Sequence, residues 1–207
     1  CPHAKGYGMA MGQDPKMVRD IVAAVWDAEE IPVIAKLTPN VDDIAVIGQA
    51  ALAGGAAGLC AINTTGPGYT ESHGHPILSN GLGGMSGKGV LPVTLKALAA
   101  LRAVTDLPLI GCGGLSSAAD CRAVAHCGAT IFGIGSGLTG LDTEALGQYF
   151  ADLAQDMNHQ TDRAAEQVRF DLDMSFSPYH VTDNKPVCDD ISVVTLDGSL
   201  DIRAGEY

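Results

Sequence analysis

The 207-residue chain predicts an α/β fold, the C-terminal half of a (β/α)8 TIM barrel followed by the beginning of a β-rich domain. Three observations predict it. Short apolar strands alternate with amphipathic helices through about residue 157, the order that builds a parallel sheet. Two consecutive strands, Pro108-Leu109-Ile110-Gly111-Cys112-Gly113-Gly114 and Thr130-Ile131-Phe132-Gly133-Ile134-Gly135-Ser136, run out in glycines. Barrels of this kind build an anion cradle from the last two βα loops, where backbone N–H groups approach a phosphate with no Cβ in the way. Beyond residue 178 the apolar period changes from that of a helix to that of a strand.

Cys1-Pro2-His3-Ala4-Lys5-Gly6-Tyr7-Gly8 reads as a polar loop. Asp14 is a credible N-cap and Pro15 a first helical residue, and Val18, Ile21, Val22 and Val25 give the following helix its apolar stripe. Ile31 to Leu37 is the next strand, with Lys36 an isolated cation near its end. Asp42 and Asp43 open a helix that runs to about Ala53 and stops at Gly54-Gly55; Gly58 to Ile62 is a strand closing on Asn63-Thr64-Thr65. Residues 66–89 are rich in Gly, Ser, His and Pro and too polar for an element of the core, and loops this long inside compact domains usually serve function. Leu91 to about Val104 is a helix before the first glycine strand, Ala118 to Ala125 one before the second. Asp142 to Met157 is the last, with Leu146, Tyr149, Phe150 and Leu153 on one face. With a strand ending at Cys1 counted as cut off, this makes four strands, half of a closed barrel.

The domains expected are therefore a half barrel over 1–158, a polar linker over 159–178 and the start of a β-rich domain over 179–207. In the last, Tyr179–Thr182 and Ile191–Leu196 alternate as strands and Asp197-Gly198 leads to Asp201-Ile202-Arg203. The opening at Cys1 and the close in mid-pattern are expected of a piece of a longer protein.

Twenty-six glycines and few aromatics suit the many turns of an α/β protein. A net charge of −12 argues against nucleic acid and anionic membrane as partners. No signal peptide is visible, nor any apolar run of about 18 residues. Cys1, Cys60, Cys112, Cys121, Cys127 and Cys188 show no CxxC spacing, which favours reduced thiols in a cytoplasmic protein over a disulfide framework. His73-Gly74-His75 lacks a third ligand, so no metal is expected. Cys112, between glycines, reads as a space-filler.

Cys1, Lys36, Asn63 and the two glycine pairs fall at the C-terminal ends of successive strands, the face that carries barrel chemistry. A thiol can serve as acid or base, a lysine can offset charge on a cofactor, an amide can pair with an amide-like ring edge, and glycines can hold phosphate. In this arrangement CPHAKGYGMAMGQDP at 1–15, AKLTPNVDDI at 35–44, INT at 62–64, PILSNGLGGMSG at 76–87, PLIGCGG at 108–114 and GIGS at 133–136 resemble the class 1 dihydroorotate dehydrogenases, in particular the NAD-linked type that works with an electron-transfer partner. The tail from Tyr179 looks like the opening of the flavin-reductase-like barrel of that partner, fused to the dehydrogenase.

The resemblance implies FMN as cofactor, with FAD and a 2Fe-2S cluster in the electron-transfer module. It implies dihydroorotate as substrate, an electron-transfer subunit or fused domain as partner, and a homo-oligomer. By the same resemblance Cys1 is the catalytic base that removes the C5 proton of dihydroorotate while hydride leaves C6 for the flavin. Lys36 lies against the N1/O2 edge of the flavin. His3, Asn63 and Thr64 hold substrate, Ile62 and Gly87 contact FMN, and Gly113, Gly114, Gly135 and Ser136 bind its phosphate. Ser136 stands where the family usually has Thr, and His3 where Asn is more common.

Two alternatives stay open. A dihydropyrimidine dehydrogenase would share the CPH and KLTPN stretches, but its loop carries an extra segment between them that is absent from Cys1 to Gln13. A non-catalytic FMN-binding or assembly domain would keep the cradle without turnover.

Overall fold

The structure, a computed structural model, describes residues 9–28, 31–79, 81–159, 181–188 and 191–196. The chain divides into two compact units, residues 1–163 and 164–207.

The first unit opens with a short helix α1 (Met9–Gln13) and then α2 (Pro15–Ala28). The Asp14 carboxylate accepts the backbone N–H of Lys16 at 2.8 Å and of Met17 at 3.3 Å, the N-terminal bonds that helix geometry otherwise leaves open. Of the expected stripe, Val18 and Val22 are buried, while Ile21 and Val25 stay exposed. Strand β1 (Ile34–Leu37) is three residues shorter than expected at its start. Helix α3 (Ile44–Ala53) begins at Asp43, whose side chain accepts the Ala45 N–H at 2.9 Å. Strand β2 (Gly58–Ala61) is buried along its whole length.

Helix α4 (Leu91–Arg102) follows a 3-10 turn over Lys88–Val90. Then come β7 (Leu109–Cys112), α5 (Ala118–His126), β8 (Ile131–Gly133) and α6 (Thr143–His159). Strands β1, β2, β7 and β8 form one sheet in chain order, every pair parallel, with Lys36 opposite Cys60, Cys60 opposite Ile110 and Cys112 opposite Gly133. A parallel sheet whose neighbours follow the chain is the product of repeated βα units. The core lies between sheet and helices: Leu59 and Leu109 from the central strands, Leu98 and Leu101 from α4 and Val124 from α5 are fully buried. Gly48 lets α3 pack closely, since a Cβ there would stand 2.5 Å from Leu101 Cδ2. On α6, Leu146, Tyr149 and Leu153 are half-buried as expected, whereas Phe150 is exposed and meets Tyr149 edge-on, with ring centroids 5.3 Å apart.

Residues 66–89, read from sequence as a loop, are instead partly paired. β3 (Thr65–Tyr69) pairs antiparallel with β6 (Leu82–Met85), and β4 (Glu71–Ser72) with β5 (His75–Pro76), both outside the parallel sheet. Thr-Gly-Pro-Gly-Tyr and Leu-Gly-Gly-Met carry no alternating pattern, so their pairing is imposed by the hairpin and not by propensity.

In the second unit β9 (Val181–Cys188) and β10 (Ile191–Leu196) form an antiparallel pair. The strand expected at Tyr179–Thr182 is described from Val181 and runs further, to Cys188. The stretch expected at 201–203 and most of the expected linker lie outside the described residues.

Candidate active site

The C-terminal ends of β1, β2, β7 and β8 open on one cleft. Lys36 of β1 enters from one side. Ile62, Asn63 and Thr64, which continue β2, line the middle. Gly113 and Gly114 after β7, and Gly135 and Ser136 after β8, line the far side. The cleft encloses about 160 Å³, below the roughly 300–1,000 Å³ of sites that surround a whole small molecule; the described residues make one wall of such a site.

Backbone geometry explains the glycines. Gly113 and Gly114 adopt φ of 114° and 82° in succession, a conformation that side chains resist. A Cβ on Gly114 would stand 2.6 Å from the Leu91 nitrogen, and one on Gly113 2.9 Å from Ile62 Cγ1. Gly135 precedes a 3-10 turn that begins at Ser136, and a Cβ on it would meet nothing within 4 Å. Gly87 is not among the cleft-lining residues. It caps the Lys88–Val90 turn with φ of 89°, next to Ser86, which does line the cleft. Of the other predicted residues, Cys1 and His3 lie outside the described residues.

Ile62 is buried, and its N–H donates to the Cys112 carbonyl at 2.5 Å, while the Asn63 N–H donates to the Leu37 carbonyl at 2.8 Å. These bonds prolong the sheet past β2 and hold Asn63 and Thr64 over the strand ends. The Asn63 Oδ1 accepts the Thr64 N–H at 2.8 Å. The Ala61–Ile62 peptide is cis.

Three further residues shape the site and were not singled out from sequence. Asn40 donates to the Thr64 carbonyl at 3.2 Å and accepts the Gly66 N–H at 3.0 Å, tying the β1 loop to the segment after β2. Fully buried Thr94 donates to the Gly113 carbonyl at 2.8 Å and so holds the double-glycine bend from α4. Asp120, also buried, pairs with Lys88 and accepts the Ser116 N–H at 3.0 Å and the Ser116 hydroxyl at 3.2 Å, joining the Ser86–Val90 segment to the loop after β7. Burial alone pushes the Asp120 carboxyl up, but the Lys88 ammonium, the Ser116 N–H and the Ser117 hydroxyl together hold it below the usual carboxylate range. Asn40 lies within the quoted AKLTPNVDDI stretch, so its motif was visible although its role was not.

Cys112, read from sequence as a space-filler, lines the cleft. Its Sγ faces the cleft 4.0 Å from Lys36 Nζ. The Cys60 thiol donates to it and holds the Cys112 thiol down to about 6 against the opposing effect of burial, with Lys36 assisting. The same bond, then burial, pushes Cys60 up. Among the described residues, no cluster of three or more His, Cys, Asp or Glu is placed to hold a metal ion. Nor is any helix long and apolar enough to cross a membrane.

A parallel α/β sheet whose successive strand ends bring a cation, an amide and a double-glycine bend to one cleft has the arrangement of barrel proteins, which carry their chemistry on the C-terminal face of the sheet. The sequence model of the family described as dihydroorotate dehydrogenase matches residues 1–157, and the chain belongs to that family. It is 50% identical over 137 residues to the dihydroorotate dehydrogenase B (NAD(+)) catalytic subunit of Pyrococcus horikoshii, covering 66% of this chain and 45% of that protein. The subunit of the same name from Methanocella arvoryzae is 45% identical over 164 residues, covering 79% and 53%. That from Thermococcus kodakarensis is 47% identical over 140 residues, covering 67% and 46%. A crystal structure of DHODH from Eimeria tenella in complex with ferulenol shares the fold, with a TM-score of 0.60 at 18% identity over 77% of this chain and 48% of that one. The chain thus spans about half the length of the curated relatives it matches.

Proposed function

We propose that this chain supplies half of an FMN-binding (β/α)8 barrel that oxidises dihydroorotate to orotate in de novo pyrimidine synthesis and passes electrons through an electron-transfer module to NAD. The observation that carries the reading is the convergence of Lys36, Asn63, Thr64, the Gly113-Gly114 bend and Gly135-Ser136 on one cleft at four successive strand ends. The names of the relatives supply the reaction and the NAD.

The residues present fit FMN. Two consecutive positive-φ glycines, each crowded where a Cβ would stand, form a bend that exposes backbone to a phosphate. Gly113, Gly114, Gly135 and Ser136 would hold the phosphate, while Ile62 and Gly87 would contact the ring. FMN, when bound, supplies the acceptor for hydride from the substrate. Lys36 contributes positive charge where negative charge accumulates on reduction. Asn63, Thr64 and His3 orient dihydroorotate, and Cys1 removes the C5 proton; an ordinary thiol pKa of about 8.5 suits that task near neutral pH. In this reading residues 1–158 are the half barrel and 159–178 a linker. The β9–β10 pair lies in 179–207, the beginning of a flavin-reductase-like barrel that leads to FAD and 2Fe-2S centres.

The test is Cys1→Ser in the protein extended to the length of its relatives. FMN binding is expected to persist, because the cradle lies on other strands, while flavin reduction by dihydroorotate slows by about 10²–10⁴-fold and moves to higher pH. Anaerobic stopped-flow across pH reads both effects. Reduction at the native rate with the native pH profile would remove Cys1 as base and favour a non-catalytic FMN-binding domain.

A further inference from the structure

One group in the cleft has no part in that reaction. Cys112 ends β7 at the cleft floor, with Lys36 Nζ 4.0 Å from its sulphur. Cys60 of β2 sits opposite Ile110, two residues before Cys112, so both thiols project from the same face of the sheet. Cys60 is buried and Cys112 half-exposed, so Cys112 is the thiol open to the cleft. On its other flank β8 presents Gly133, where a Cβ would stand 3.3 Å from the Cys112 sulphur. Among the described residues, the titratable and charged groups facing it are Lys36 from β1 and Cys60 from β2. β8 brings only glycine here, and the segments above bring Asn63, Thr64, Ser86 and Ser136.

We propose that Cys112 is a covalent modification site, a cleft-facing thiol between the Lys36 ammonium and Cys60 that takes hydroperoxides and other soft electrophiles. A cation and an S–H donor both favour the charged form of the sulphur, which is the nucleophile. With a hydroperoxide, the thiolate attacks the terminal oxygen and the O–O bond breaks. The departing alkoxide or hydroxide takes a proton from water, and the sulphur is oxidised by two electrons to a sulfenic acid. The hydroperoxide is the oxidant and ends as alcohol or water. The proposal does not depend on which ligand fills the cleft.

Iodoacetamide labelling of the 207-residue chain, native and urea-unfolded, over about pH 5 to 9 tests it, with the extent at each thiol resolved by tandem mass spectrometry. At about pH 6.5 the native Cys112 carries roughly 70-fold more thiolate than an ordinary cysteine. The weaker nucleophilicity of a low-pKa sulphur takes back about tenfold, leaving labelling about sevenfold faster than in the unfolded chain. Lys36→Gln is expected to move the labelling midpoint upward, and hydrogen peroxide followed by dimedone to mark Cys112 ahead of Cys121 and Cys127. A native Cys112 whose midpoint equals that in the unfolded chain overturns the proposal, as does a midpoint indifferent to Lys36→Gln. A dimedone adduct absent from Cys112 overturns its reactivity toward hydroperoxides.

Discussion

Lys36 is the one charged side chain among the described residues that line the cleft, and its position decides what it can do. It stands on the last turn of the sheet beside β2, opposite Cys60 and within reach of Cys112, and it is exposed to the cleft on the ligand side. A cation there gains most when negative charge appears in front of it, so in the proposed reaction its contribution to flavin reduction is expected to exceed its contribution to flavin binding. Lys36→Ala in the protein of full family length is expected to slow single-turnover flavin reduction by about 10²–10³-fold and to change FMN affinity far less. Parallel measurement of both constants checks this, and equal losses would leave Lys36 a binding residue alone. Lys36 and the glycines were legible in the sequence because their types are unusual where they stand, a cation closing an apolar strand and glycines closing two more. Thr94 and Asn40 were not, because they act on backbone groups of residues 19 and 24 positions away, Gly113 and Thr64. No local pattern encodes such a bond.

At the scale of elements, the loop after β7 and the turn before α4 are held together by one buried carboxylate. Asp120 sits in the first turn of α5, pairs with Lys88 across the gap and accepts two bonds from Ser116. Asp120→Asn removes the charge but keeps the shape, at an expected cost of about 1–3 kcal/mol near neutral pH. The sign of the pH dependence follows from the lowered carboxyl. Stability from Asp120 is fully present above the ordinary carboxylate value of about 4 and is lost as pH falls through the lower folded value. The gap between native and variant in urea melts is therefore expected to narrow in acid, and a gap of equal size on both sides of that window would remove the charge from the account. Elements with strong period were legible: α2 through its cap at Asp14 and apolar stripe, and α3 through Asp43 and its glycine stop. The β3–β6 ladder was not, because glycine and proline fill it and its strands are specified only by each other. α1 is five residues long, too short to show a period.

At the scale of the molecule, among the described residues the parallel sheet of four strands ends in two open edges, β1 and β8. Apolar side chains remain exposed on both, Ile34 at 40% and Ile131 at 50%. Closed barrels have no such edges, and the cleft above this sheet is smaller than a site that surrounds a whole cofactor. In the proposed reading, with the chain spanning about half the length of the curated relatives it matches, the remaining contacts to a flavin lie outside the described wall. On that reading residues 1–207 alone are expected to bind FMN weakly, because the described residues supply the proposed phosphate cradle and only one wall of the enclosure. Loss of most of the ring's contacts costs several factors of ten at about 1.4 kcal/mol each. Titration of the purified chain with FMN, followed by flavin fluorescence, gives the constant. A dissociation constant below about micromolar, near −8.2 kcal/mol, with an ordinary bound-flavin spectrum, would mean that the four-stranded sheet encloses its ligand unaided. In that case the half-barrel reading falls even though the cradle residues stand.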